Sequence, residues 1–107
     1  MKAYLNDTKI KEKYIVRVKT HAEADRIIKG TYWQNGKGCA VGCTIEGSDH
    51  SRYETELGIP RVIARLEDRI FEGLPNDEAK EFPLKFLNAI NVGANLSMVA
   101  PKWLINY

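Results

Sequence analysis

The sequence predicts a mostly α, single compact domain over residues 1–107, built from several short helices, with a small β-hairpin near residues 31–41 as one form its middle can take. Three observations carry this. A chain of 107 residues with 44% apolar and 28% charged side chains is an ordinary soluble globule, long enough for one hydrophobic core. Apolar residues recur at helical spacing near the N-terminus and again after Pro60. Glycine and proline stand where helices stop and start, at Gly30, Gly58, Pro60, Gly73 and Pro75.

The elements follow in order. Ile10, Tyr14, Val18 and Ala22 recur every fourth residue and make residues 8–29 a helix, with Asp7 or Thr8 as its cap and Gly30 as its stop. Thr20 and Glu23 have capping-box spacing, so a second helix can begin inside this stretch. Residues 31–45 allow two readings. Asn35-Gly36 is the strongest short hairpin signal, flanked by Thr31-Tyr32-Trp33-Gln34 and Gly38-Cys39-Ala40-Val41. The alternative is a turn leading directly into a short helix that carries Cys39 and Cys43. The helix is favoured, because Ala40, Val41 and Cys43 need burial and two short strands are marginal alone.

Residues 46–51 are a polar loop, and residues 52–57 a brief helix ended by Gly58. Residues 60–72 form the clearest helix, with Val62, Ile63, Leu66 and Ile70 as its apolar stripe. Pro75-Asn76-Asp77 turns the chain. Phe82, Phe86, Leu87 and Ile90 build another apolar face, where Pro83 must start or kink a helix. Residues 96–105 read as a last helix, restarted at Pro101. No apolar run is long enough to span a bilayer, and the first residues, Met1-Lys2-Ala3-Tyr4-Leu5-Asn6-Asp7, have no apolar signal core. The expectation is a cytoplasmic protein with reduced thiols.

The most unusual stretch is Gly38-Cys39-Ala40-Val41-Gly42-Cys43. It holds both cysteines, and five of the eight glycines lie between Gly30 and Gly47. The favoured reading is structural: glycines for close backbone approach, thiols as small buried apolar groups. Three chemical alternatives stand beside it. Cys39, Cys43 and His50 have the spacing C-x3-C-x6-H, and His21 could complete four metal ligands, although a second closely spaced pair is missing. Cys39 at a helix N-terminus would have a lowered pKa, with His50 as base and Asp49 or Asp25 as orienter, a thiol enzyme in outline. Asn35-Gly36-Lys37-Gly38 offers backbone N–H groups for an anion, but lacks the P-loop pattern. No cofactor is expected.

Net charge is only +2, but it is unevenly spread. Residues 1–30 carry eight Lys/Arg against four Asp/Glu, and residues 45–82 five against ten. Solvated helix faces account for this most simply. A sharper alternative is a nucleic-acid-binding module using Lys9, Lys11, Lys13, Arg17 and Lys19 of the first helix. For a protein partner, Tyr32, Trp33, Trp103 and Tyr107 are anchors of the kind enriched at hot spots. Glu46, Asp49, Glu54 and Glu56 could present an acidic surface that mimics phosphates, provided they are exposed and clustered.

The segment from Gly36-Lys37-Gly38-Cys39-Ala40-Val41-Gly42-Cys43-Thr44, through His50-Ser51 and Leu57-Gly58-Ile59-Pro60, to Arg65-Leu66-Glu67-Asp68-Arg69-Ile70-Phe71-Glu72-Gly73-Leu74-Pro75 resembles a family of small phage and bacterial proteins. The likeness covers residues 27–96. Asn91 stands where the similar stretch Ala-Ile-Pro-Val-Gly has proline, and relatives continue past residue 107. The resemblance implies no established activity, cofactor or catalytic residue. By its genomic company it implies a non-enzymatic phage or mobile-element accessory protein. Such proteins bind and modulate one host protein, a defence system such as a CRISPR effector among them, which makes an anti-CRISPR role the sharpest form of the expectation.

Overall fold

The computed structural model describes residues 2–96. Asp7 caps the first helix, α1 (Thr8–Glu23), by accepting the Lys9 N–H at 2.9 Å. α1 stops well before Gly30. Asp25 adopts a left-handed φ of 56°, Asp25 N–H donates to Ala22 O, and Arg26 N–H donates to His21 O. That is a Schellman closure with Asp in the position usually given to glycine. The helix start expected at Thr20 does not occur, because the Thr20 hydroxyl bonds back to Val16 O within α1.

Both readings of the middle segment are realised in succession. β1 (Trp33–Gln34) and β2 (Lys37–Gly38) pair antiparallel, with Trp33 opposite Gly38. Asn35 and Gly36 both take positive φ between them, the requirement of a type I′ turn. Ile27 bridges Gly38 from the other side, in parallel. Directly after the hairpin comes α2 (Ala40–Ile45), and all six of its residues are buried. A helix with no charged residue and no wet face must lie at the centre of a domain. α2 does so, packed between α1, α3 (Arg61–Gly73) and α4 (Asn76–Ala89).

Between α2 and α3, a single π turn (Tyr53–Leu57) closes on Gly58, whose φ is 65°. Pro60 precedes the first turn of α3. α4 begins at Asn76 and runs through Pro83 in its interior, so Pro83 does not start it. Ala79, Pro83 and Leu87 form the buried line of α4, and Phe82 and Phe86 lie half-buried beside it. The N-terminal segment is pinned to the far end of the domain. Ala3 N–H donates to Ala94 O, and Tyr4 hydroxyl donates to Leu87 O at 2.6 Å. The helix expected over residues 96–105 lies outside the described residues, apart from its first position.

Two buried stripes are displaced from the ones the sequence suggests. On α1 the fully buried positions are Tyr14, Val18 and His21, with Ala22 only half-buried. A strict fourth-residue repeat drifts around a 3.6-residue helix, so burial steps back to the i+3 position. On α3 the buried positions are Ile63, Ala64, Glu67, Asp68 and Phe71, while Val62, Leu66 and Ile70 are half-buried. Two carboxyls thus occupy the inner face. Glu67 is fully buried, and Tyr53 hydroxyl donates to its Oε1 at 2.8 Å. Its Oε2 finds no partner among the described residues.

Candidate functional site

The glycine–cysteine stretch is a socket for backbone. Cys39 N–H donates to Thr31 O (2.8 Å) and to Tyr32 O (3.2 Å). A Cβ added to Gly38 would fall 2.0 Å from Tyr32 O, and one added to Gly42 only 1.4 Å from it. Both positions must therefore be glycine for the 31–32 backbone to seat against α2. The thiols line the same socket. Cys39 Sγ accepts from Gly42 N–H (3.4 Å), and Cys43 S–H donates to Gly38 O (3.2 Å) and Arg26 O (3.4 Å).

This seating fixes the main chain of Tyr32 and leaves its ring outside, 53% exposed. The ring stands edge-on to the His50 imidazole, with centroids 4.9 Å apart. His50 Nε2 lies 3.0 Å from Asp68 Oδ2, and Val41 N–H donates to Asp68 Oδ1 at 3.2 Å. An ionised Asp68 can only accept, so Nε2 carries the proton and Nδ1 is the free ring nitrogen. Arg65 and Arg69 flank Asp68 on α3 and are neighbours at i,i+4 on one exposed face. Glu72, one turn on, accepts from Gly30 N–H at 3.1 Å. Together with Thr31, these residues line a cleft of about 690 Å³.

The charge pattern of this cleft is distinctive. Among the described residues neither Arg65 nor Arg69 has a carboxylate partner. Both carboxyls in the cleft are already engaged, Asp68 by His50 and Val41, Glu72 by Gly30. The cleft therefore offers two free guanidinium forks beside an imidazole held in place.

The residues singled out from sequence are placed differently. Cys39 caps the N-terminus of α2, where a lowered pKa was expected. Burial outweighs that effect and drives its thiol far above the usual range, with the Asp68 charge adding to the rise and Gly42 N–H opposing it. Burial likewise pushes the Cys43 thiol up to about 12. His50 is oriented by Asp68. Asp49 instead turns back to accept from Ser51 N–H and hydroxyl, which hold its carboxyl below the usual range. Asp25 pairs with Lys80 at 2.7 Å. The four prospective metal ligands are not gathered. His21 pairs with Glu46 and packs edge-on to Trp33, and no group of three or more His, Cys, Asp or Glu among the described residues is placed to hold an ion.

The two surface alternatives also lose their components to internal contacts. Glu46 pairs with Arg17 and His21, Glu54 with Arg61, and Glu56 with Arg52 and Tyr14. With three of the four acids paired to cations and Asp49 turned to Ser51, these carboxylates are mostly engaged within the fold. Lys11 donates to Asn88 O and Ile90 O, Arg17 donates to Thr44 O, and Lys13 lies over the Tyr14 ring. Of the basic set, Lys9 and Lys19 stay exposed with no such contact among the described residues. Trp33 is half-buried. Trp103 and Tyr107 lie outside the described residues.

A chemical check on the thiols follows. Folded protein at neutral pH is expected to resist iodoacetamide at both cysteines and to react at both once unfolded in guanidinium, read by mass spectrometry. Fast modification of Cys39 in the folded protein would show that burial does not govern this thiol. No protein-family model, curated protein or solved structure matches the chain.

Proposed function

We propose that this chain is a non-enzymatic accessory protein of phage or mobile-element type, acting in the cytoplasm by binding and modulating one host protein. A defence effector such as a CRISPR nuclease is the kind of partner this reading names. The observation that carries it is Tyr32, a large amphipathic ring held outside on backbone that the glycine–cysteine socket makes rigid. An aromatic anchor with little backbone entropy left to lose is the usual centre of a protein–protein hot spot. Among the described residues no helix is long and apolar enough to cross a membrane. The thiol-enzyme alternative asks for a thiolate at Cys39, which burial opposes.

The test is a pull-down from host lysate with wild type and Tyr32→Ala in parallel. Wild type is expected to retain one protein stoichiometrically. Tyr32→Ala is expected to weaken that retention by at least tenfold, with the melting temperature unchanged, since truncating a hot-spot aromatic costs about 2 kcal/mol or more of binding. Recovery of nucleic acid in place of protein, or equal retention by Tyr32→Ala, would refute the proposal.

A further inference from the structure

We infer that the cleft between Tyr32, His50 and α3 is a binding site for a small phosphate monoester, gripped by Arg65 and Arg69. This does not rest on the host-protein reading and would stand if no protein partner existed.

Three features of the cleft lead there. Its volume of about 690 Å³ falls in the range of small-molecule sites. The second feature is the pair of guanidiniums one helical turn apart. Like charges at i,i+4 repel, and elsewhere on this surface cations such as Arg17, Arg52, Arg61 and Lys80 sit against carboxylates. Arg65 and Arg69 have no such partner among the described residues, although Glu72 and the buried Asp68 line the same cleft. Those two carboxyls are turned to other donors, so the forks are left for a ligand.

The third feature is preorganisation. Asp68 holds His50 through Nε2 and is itself held by Val41 N–H. Nδ1 of His50 makes no hydrogen bond among the described residues and faces no competing partner. The opposite wall, residues 30–32, is tied down by Glu72 at Gly30 and by Cys39 at Thr31 and Tyr32. A site assembled on a helix and a pinned loop loses little entropy when it closes on a ligand.

Donor number selects the phosphoryl group over a carboxylate. Two planar forks offer more donors than two oxygens can take and match the three peripheral oxygens of a phosphoryl group. A carboxylate has two oxygens and one charge, and a single arginine satisfies it. The exposed Tyr32 ring at the rim gives the organic part of the ester an apolar surface to lie against.

The test titrates phenyl phosphate and inorganic phosphate into the full chain, followed by amide NMR and calorimetry at constant ionic strength. Phenyl phosphate is expected to bind saturably and more tightly than inorganic phosphate, shifting the signals of Gly30, Thr31, Tyr32 and His50. Arg65→Gln and Arg69→Gln are each expected to weaken it about tenfold, and the double variant to abolish it. Arg65→Lys, which keeps charge but not the fork, should fall between wild type and Arg65→Gln. Lys9→Gln with Lys19→Gln should change nothing. Both arginines are exposed, so unchanged melting temperatures are expected throughout. Shifts confined to α1, or an affinity indifferent to the double variant, would overturn the inference. A phosphoserine peptide bound tightly while phenyl phosphate is ignored would also overturn it.

Discussion

Gly42→Ala is expected to lower stability by about 3 kcal/mol or more, a large fraction of what a domain of this size has. In an ordinary helix interior the same change stabilises by about 1 kcal/mol, because alanine loses less backbone entropy on folding. Here the sign reverses for a steric reason. The new Cβ would lie 1.4 Å from Tyr32 O and 2.5 Å from its carbonyl carbon, far inside contact distance. The obstacle is main chain, which cannot swing aside as a side chain would. That main chain is itself bonded to Cys39, and α2 is enclosed by other helices, so neither body can retreat. Urea denaturation followed by circular dichroism measures the effect. Gly73→Ala, at a position where nothing lies within 4 Å, serves as the control and should be neutral or slightly stabilising. A Gly42→Ala midpoint equal to that of wild type would disprove the socket.

That socket was partly legible in the sequence. A stretch of alternating glycine and cysteine with no charge has to be buried, and Ala40-Val41-Gly42-Cys43 is indeed the central helix. The hairpin signal at Asn35-Gly36 was also readable, because only residues tolerant of positive φ make that turn. What the two glycines accommodate was not readable. The close approach of the Tyr32 carbonyl is a tertiary fact, and no local pattern records which carbonyl will arrive. The end of α1 was misplaced for a related reason. Glycine is the usual left-handed closing residue, so Gly30 outranks Asp25 on propensity, yet Asp25 takes the left-handed turn.

The cleft was less legible than the fold. His50 stood out as one of only two histidines, but its partner did not. Asp49 adjoins it in sequence, whereas Asp68 reaches it across the fold from α3. Asp68 was hidden because acids on an amphipathic helix are assigned to water by default. The signal that would have found the site is Arg65-x-x-Asp68-Arg69, three charged groups within one turn of a helix, which sets the carboxyl beside both arginines whichever way the helix faces. The basic residues of α1 drew attention by number. The two arginines of the cleft are fewer, and what sets them apart is their place one turn apart on α3 beside an imidazole held by Asp68.

Glu67→Gln is expected to remove a pH dependence of stability that runs opposite to ordinary acid denaturation. Glu67 is fully buried in the wall shared by α3 and the π turn. Burial raises its carboxyl pKa well above the usual value of 4.5. The Tyr53 hydroxyl bond opposes the rise without cancelling it, and the Asp68 charge adds to it. The native state therefore keeps a proton that the unfolded chain releases above about pH 4.5. Above that point the unfolded state binds fewer protons, so stability falls as pH rises, by up to about 1.4 kcal/mol per pH unit, until the native carboxyl itself titrates. Asp25, Asp49, Glu54 and Glu56 have depressed values and act with the opposite sign, losing stability as pH falls. Only the difference between wild type and variant isolates Glu67. Glutamine keeps the shape and the oxygen that accepts from Tyr53 and cannot ionise, so Glu67→Gln should gain on wild type steadily from mildly acidic to mildly alkaline pH. Parallel stability curves for the two proteins over that range would mean that Glu67 is already ionised in the fold. Tyr53→Phe, which strips the one hydrogen bond at Oε1 and so disfavours the ion further, should carry the wild-type decline on to higher pH without changing its slope.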